Sequence, residues 1–165
     1  MLKLFSIDDD GAKYALTEDS LQDLEGETFT ICSNQLDTLA FGGSDNKVYT
    51  QKAKLMGDEE ADDIEREDPA LAMSFDTPVN QVQFCNSGQY LLGFSEDKFV
   101  QIMNLETQKV SNIVKGMHDC SVRNAAVDPY FECLATTGCD GSLHITSIKD
   151  LGNTSLIKKL KISKT

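Results

Sequence analysis

Val79-Asn-Gln-Val-Gln-Phe84, Cys85-Asn-Ser-Gly88, Gln89-Tyr-Leu-Leu-Gly-Phe-Ser95, Glu96-Asp97-Lys98 and Phe99-Val-Gln-Ile102 follow one another in a stretch that closes at Leu105. Val82 and Phe84 alternate with polar residues, and Asn86-Ser87-Gly88 and Glu96-Asp97-Lys98 carry turn chemistry, so the stretch reads as three short strands joined by two tight turns. The layout recurs. Val122, Val127, Pro129, Leu134, Asp140, Leu143 and Ile145 stand 43 residues after Val79, Phe84, Asn86, Leu91, Asp97, Val100 and Ile102. An earlier copy places Leu39, Asp45 and Val48 52 residues before Leu91, Asp97 and Val100, the longer offset reflecting an insertion.

Working outward, Gln108 to Val114 alternates and supplies a fourth strand to the central unit, and Asn153 to Leu160 does so for the last. Ala70 to Phe75 is the strand that follows the insertion in the first. A period in the low forties with four antiparallel strands per unit is the pattern of β-propeller blades. The predicted fold is therefore all-β, a partial propeller over residues 1–165 with repeat copies at about 28–56, 79–114 and 122–160 and one leading strand from Leu2 to Ile7; Lys13 to Thr17 also reads as a short strand. One such unit cannot bury its apolar face alone and must stack on the next. A ring closes with seven or so units, so three imply a fragment of a longer propeller, or a chain whose open ends are covered by self-association or by partners.

The 165 residues suffice for one domain with a core, and 40% hydrophobic content is that of a globular chain. A net charge of −12 opposes phosphate backbones, and no basic stripe interleaved with aromatics offsets it. Five cysteines do not make a closed disulfide set, no N-terminal cleavage pattern is present, and no run reaches the ~20 apolar residues of a membrane span. The expectation is a soluble protein of a reducing compartment, without membrane contact.

Several local patterns suggest chemistry and then fall short of it. Asp8-Asp-Asp-Gly11 lacks the ligand spacing and distal glutamate of a Ca²⁺ loop and reads as a turn. Gly42-Gly43 with Lys47 lacks the Lys-Ser/Thr pair and following helix of a phosphate loop; the repeat register makes these glycines the end of a strand. Gly57 to Asp68 carries eight acids and one base in twelve residues. Self-repulsion and the lack of apolar groups make it a solvated loop, 57–68, whose functional reading is an acidic contact for a basic partner such as histone. The tail from Lys158 to Thr165 contains four lysines and reads equally as a solvated strand edge or as a contact surface.

The repeats resemble the WD-repeat family. The resemblance rests on His118 four residues before Val122, on Asp128-Pro129, and on Leu134-Ala-Thr-Thr-Gly-Cys-Asp140-Gly141-Ser142-Leu143-His144-Ile145. It implies that Asp97 and Asp140, with Asp45 in the first copy, sit in the tight turn between the second and third strands. It further implies that His118, Asp140 and Thr136 form a buried hydrogen-bonded network. The family's tryptophan is absent, Met103 and Thr146 standing in its place, so the copies are degenerate. Within the family the order Ile7-Asp-Asp-Asp10, Leu39 to Val48, Ala70 to Phe75, Phe94 to Ile102 and Gly138 to Ile145 is most similar to the amino-terminal propeller of the WD-repeat and HMG-box replisome-hub family. The similarity covers nearly the whole chain but about half of that propeller. The later parts of such proteins, which contact polymerase and helicase, have no counterpart here.

No catalytic constellation emerges. His118 is accounted for by the repeat, and His144 is read as an outward-facing strand residue. A Ser-His-Asp reading needs three groups converging, and nothing in the sequence requires that. A zinc set of His118, Cys120, Cys133 and Cys139 has suitable atoms but no CxxC spacing, and the cysteines read as small strand residues. The resemblance therefore implies a non-enzymatic protein-interaction scaffold in nuclear DNA replication, without cofactor or metal and without direct nucleic-acid contact from this segment. Its partners would be replication-fork proteins. The alternative is a WD-repeat scaffold in another setting, such as a ubiquitin-ligase adaptor or a cytoplasmic assembly factor.

Overall fold

The computed structural model describes residues 4–7, 14–17, 26–34, 38–52, 69–85, 88–96, 100–112, 118–128, 130–151 and 153–162. Among these residues every regular element is a strand. The turn at Asp97, the aspartates at 8–10 and the acidic segment 57–68 lie outside the described residues.

Strands β1 (Leu4–Ile7) and β2 (Tyr14–Thr17) pair antiparallel, Leu4 opposite Thr17 and Ile7 opposite Tyr14. The leading strand expected from the sequence thus pairs with the short strand read at Lys13 to Thr17, and the two form a ribbon. Pairing satisfies backbone N–H and C=O groups that a lone strand leaves open along both edges.

Three four-stranded sheets follow, each antiparallel and each running through its strands in chain order. The first holds β3 (Thr28–Ser33), β4 (Thr38–Gly43), β5 (Lys47–Lys52) and β6 (Ala70–Ser74). The second holds β7 (Val79–Cys85), β8 (Tyr90–Ser95), β9 (Val100–Asn104) and β10 (Lys109–Asn112). The third holds β11 (Val122–Val127), β12 (Cys133–Gly138), β13 (Ser142–Ser147) and β14 (Ser155–Lys161).

The repetition extends to backbone detail. The first pairing of each sheet slips at the same place, between Thr28 and Thr30, Val79 and Gln81, and Val122 and Asn124. An extra residue there bends the strand and strengthens its twist. Beside each slip, the turn after the second strand is tied to the residue entering the first. The amides of Ser44, Glu96 and Cys139 donate to the carbonyls of Glu27, Pro78 and Ser121, at 2.9, 3.2 and 3.2 Å.

The sheets stack in chain order on two apolar clusters. Ala40, Val48, Met73 and Phe75 from the first sheet and its exit meet Val79, Val82, Leu91 and Met103 of the second. On the other face of the second sheet, Leu92, Phe94, Val100 and Ile102 meet Val122, Ala125, Leu134 and Ile148. Alternation makes this possible, since Leu91 and Leu92 point to opposite faces and each is fully buried. Burying a side chain such as Phe94 contributes about 2–3 kcal/mol. Polar ties cross the same interfaces. The Val82 amide donates to Thr30 Oγ1 at 3.1 Å, and the Gln81 side chain exchanges two hydrogen bonds with the Ala125 backbone, both at 3.1 Å. Fourth strands lie at the rim, and the side chains of β14 are exposed throughout. Among the described residues the stack is not closed into a ring.

Candidate functional site

The densest polar cluster among the described residues sits where the third sheet's entering loop meets the turn between β12 and β13. His118, fully buried, lies at its centre. Its Nε2 faces Thr136 Oγ1 at 3.0 Å; its Nδ1 faces Asp140 Oδ1 at 3.2 Å and Ser142 Oγ at 3.1 Å. Asp140 Oδ1 also accepts from the Ser142 amide at 3.0 Å and the Ser142 hydroxyl at 2.7 Å. A carboxylate only accepts, so the Nδ1 proton of His118 points toward Asp140 and the Thr136 hydroxyl donates to Nε2.

Local sequence explains the turn. Asp140 bonds the amide two residues on, a short side chain replacing a backbone turn bond. Gly141 follows with φ of 69°, in the left-handed region, and its amide donates to the Gly138 carbonyl at 3.2 Å. Gly138 is needed for space rather than for φ. A Cβ there would strike the His118 ring, lying 2.7 Å from Cγ.

His144 occupies a place the alternation did not anticipate. It is buried, not outward-facing, and stacks on His118 with ring centroids 4.2 Å apart and planes 16° from parallel. Its Nε2 lies 3.2 Å from Ser142 Oγ. Because the Ser142 proton goes to Asp140, His144 Nε2 is the donor in that contact, which leaves Nδ1 a bare acceptor; it is buried with no partner among the described residues. The residues on its side of β13, Ser142, His144 and Thr146, are the buried ones, whereas Leu143 and Ile145 are half-buried. Leu143 and Ile145 hold the positions of Val100 and Ile102, which are buried because the third sheet covers them. Among the described residues, the face carrying Leu143 and Ile145 has no such cover.

The electrostatics follow. Burial alone would raise the Asp140 carboxyl, but the Ser142 hydroxyl and amide and His118 together hold it well below the usual carboxylate range. Burial, with His118 and Lys159 nearby, lowers His144 and keeps it neutral. Asp128 closes the β11–β12 connection. The Cys133, Glu132 and Tyr130 amides donate to it at 2.6, 2.7 and 3.2 Å, and these bonds, led by that from Cys133, lower its carboxyl despite opposing desolvation.

The sequence-predicted residues thus divide. His118, Thr136 and Asp140 come together. Asp45 occupies the corresponding turn of the first sheet with different company: Oδ1 accepts from the Lys47 amide at 3.2 Å and Oδ2 from the Tyr49 hydroxyl at 2.8 Å. Asp97 is not described. Ser142 and His144 were not foreseen as members. The Asx-turn register, which puts residue i+2 against the aspartate, is the signal that points to Ser142.

Metal-binding potential is limited by the same contacts. His118, Asp140 and His144 each offer a ligand atom within 4.8 Å of the others. The Ser142 hydroxyl already sits between them, so a cation would have to displace it. The set His118, Cys120, Cys133 and Cys139 is not brought together. Cys133 opens β12 and Cys139 follows its far end, about 20 Å away at ~3.3 Å per residue.

No protein-family model matches the chain, and no curated protein matches it.

Proposed function

We propose that this chain is a run of WD-repeat β-propeller blades and serves as a non-enzymatic protein-interaction scaffold within a nuclear replisome adaptor. The observation that carries the blade reading is the His118–Thr136–Asp140–Ser142 network. It ties the loop entering a four-stranded sheet to the turn between that sheet's second and third strands, as the WD-repeat resemblance implies. The recurring slip, the recurring loop-to-turn bond and the stacking of successive sheets support the same reading. The half-buried face carrying Leu143 and Ile145 is where a further blade, or a second copy of the chain, would stack.

The replication setting rests on the ordered resemblance from Leu2 to Ile148. The network's hydrogen-bonding groups are largely spent on one another, which suits a structural joint better than a catalytic site. The net charge of −12 favours docking proteins over phosphate backbones. Proximity labelling with the protein that carries this chain tests the assignment. Enrichment of helicase and polymerase components in the nucleus is the expected result. Enrichment of cullin or cytoplasmic assembly proteins, with none from the fork, overturns the replication setting and leaves a generic scaffold. Duplex DNA should bind weakly at physiological salt, and more weakly as salt rises; tight binding would refute the charge argument.

A further inference from the structure

Beside the buried network, on its solvent side, two cysteines from different parts of the chain come together. Cys120 lies in the loop between His118 and β11, half-buried, and Cys139 lies in the β12–β13 turn, exposed. Their backbones are held in register: Val122 pairs with Gly138, and the Cys139 amide donates to the Ser121 carbonyl at 3.2 Å. The Cys120 thiol approaches that same Ser121 carbonyl at 3.6 Å, so Cys120 Sγ and the Cys139 amide converge on one oxygen. Two cysteines converging on one carbonyl from paired backbone are placed for side-chain rotation to bring their sulfurs to the ~2.05 Å of a disulfide.

We propose that Cys120 and Cys139 form a reversible dithiol–disulfide site whose oxidant is a small-molecule disulfide such as glutathione disulfide.

The two thiols are unequal. Cys139 is held below its ordinary value, first by the hydrogen bond from Cys120, then by the backbone at Ser121 and by Arg123 against opposing desolvation. Cys120 is raised, chiefly by burial. Cys139 is also the exposed thiol and Cys120 the half-buried one, so Cys139 is the attacking sulfur and Cys120 the resolving one. The Cys139 thiolate attacks one sulfur of glutathione disulfide, forming a mixed disulfide and releasing one glutathione thiolate. Cys120 then gives its proton to solvent and attacks the Cys139 sulfur, releasing the second. Two cysteine thiols are oxidised to one disulfide, and glutathione disulfide is reduced to two glutathione thiols. The new bond joins the loop carrying His118 to the turn carrying Asp140, whose carboxylate already bonds the Asp119 amide at 3.5 Å. Cys32, Cys85 and Cys133 do not share this setting. They lie in β3, β7 and β12, and burial raises Cys32 to about 11 and Cys85 to about 12.

The test is disulfide mapping by mass spectrometry on the full chain equilibrated in glutathione buffers of graded redox poise. The expected product is a Cys120–Cys139 bond that reverses on reduction. Cys120→Ser should stall at glutathione on Cys139, and Cys139→Ser should form neither product. In the reduced wild type, Cys139 should alkylate at least about tenfold faster than Cys32 near neutral pH. A thiol below 9.0 has at least about a hundred times the thiolate of one at about 11, and the weaker nucleophilicity of the more acidic thiolate takes back about tenfold. Wild-type protein in which both cysteines stay reduced in fully oxidising buffer, or pair with Cys32, Cys85 or Cys133 instead, overturns the proposal. That result does not depend on any variant folding.

Discussion

Replacing Asp140 by alanine tests whether the buried network holds the third sheet's loop to its turn. Four contacts are lost: the Ser142 amide at 3.0 Å, the Ser142 hydroxyl at 2.7 Å, His118 Nδ1 at 3.2 Å and the Asp119 amide at 3.5 Å. They do not count equally. The Asp119 amide is near the surface and its contact is long, so water replaces it at little cost. His118 Nδ1 keeps Ser142 Oγ at 3.1 Å and is not orphaned. What remains is two bonds to a charged acceptor, each contributing about 1.5–3 kcal/mol when shielded. The Asp140 side chain retains 15% exposure, so water offsets part of that, and the expected loss is about 2 kcal/mol. For a chain of this length that is a fall of about 4–8 °C in thermal midpoint. Chemical denaturation of wild type, Asp140→Ala, Ser142→Ala and the double variant supplies the assay. The two residues share a bond, so the double variant should fall short of the summed singles by about 1 kcal/mol. The pH dependence has a definite sign. The folded carboxyl is held below its ordinary 3.8, so its stabilisation is complete above that value and fades as pH falls through the folded value. The gap between wild type and Asp140→Ala should be flat near neutrality and close only in acid. An unchanged midpoint, or strict additivity, would refute the network as a joint.

Two further substitutions probe the same joint from other sides. His144→Phe keeps a flat ring against His118 and removes the unpartnered Nδ1, so it should cost under about 1 kcal/mol at pH 8. Because burial lowers the folded His144 below its ordinary 6.5, wild type should lose stability as pH drops below that value; the phenylalanine variant should lose less, and equal slopes in pH-dependent denaturation would contradict the burial. Gly138→Ala should destabilise by about 1–3 kcal/mol, since the added carbon meets a ring already fixed through both nitrogens; a denaturation midpoint equal to that of wild type would mean the loop yields freely.

Much of this architecture is legible in the chain because its signals are local. The turns around Asp45 and Asp140 combine an aspartate with a following residue tolerant of positive φ, Asn46 at 65° and Gly141 at 69°. The strands between them alternate with period two. Alternation says which residues share a face, but not which face is covered. Leu143 and Ile145 look like the buried row of β13 because they are apolar, yet they lie on the half-buried face, and Ser142, His144 and Thr146 are the buried row. The same gap explains the zinc set. Cys133 has the right chemistry, but its distance from Cys139 is set by the direction of β12.

The first and third sheets show how the aspartate turn survives when its partners change. Tyr49 and Phe41 lie 95 residues before His144 and Thr136, just as Asp45 lies 95 before Asp140. In the first sheet the Tyr49 ring stacks on Phe41, centroids 5.7 Å apart, and its hydroxyl reaches the aspartate. In the third, His144 holds the strand position of Tyr49, but its stacking partner is His118, supplied by the loop, and the small Thr136 in place of Phe41 leaves room for that ring. One arrangement fills the space with two aromatics from neighbouring strands. The other fills it with a loop histidine and so couples the loop to the turn. The aspartate–amide bond at residue i+2 is common to both, at 3.2 and 3.0 Å. The turn thus depends on that bond, whereas a network joining loop to turn depends on a small residue at position 136. Bulk at that position would force the histidine out, which is why the two arrangements are alternatives and not additions to one another.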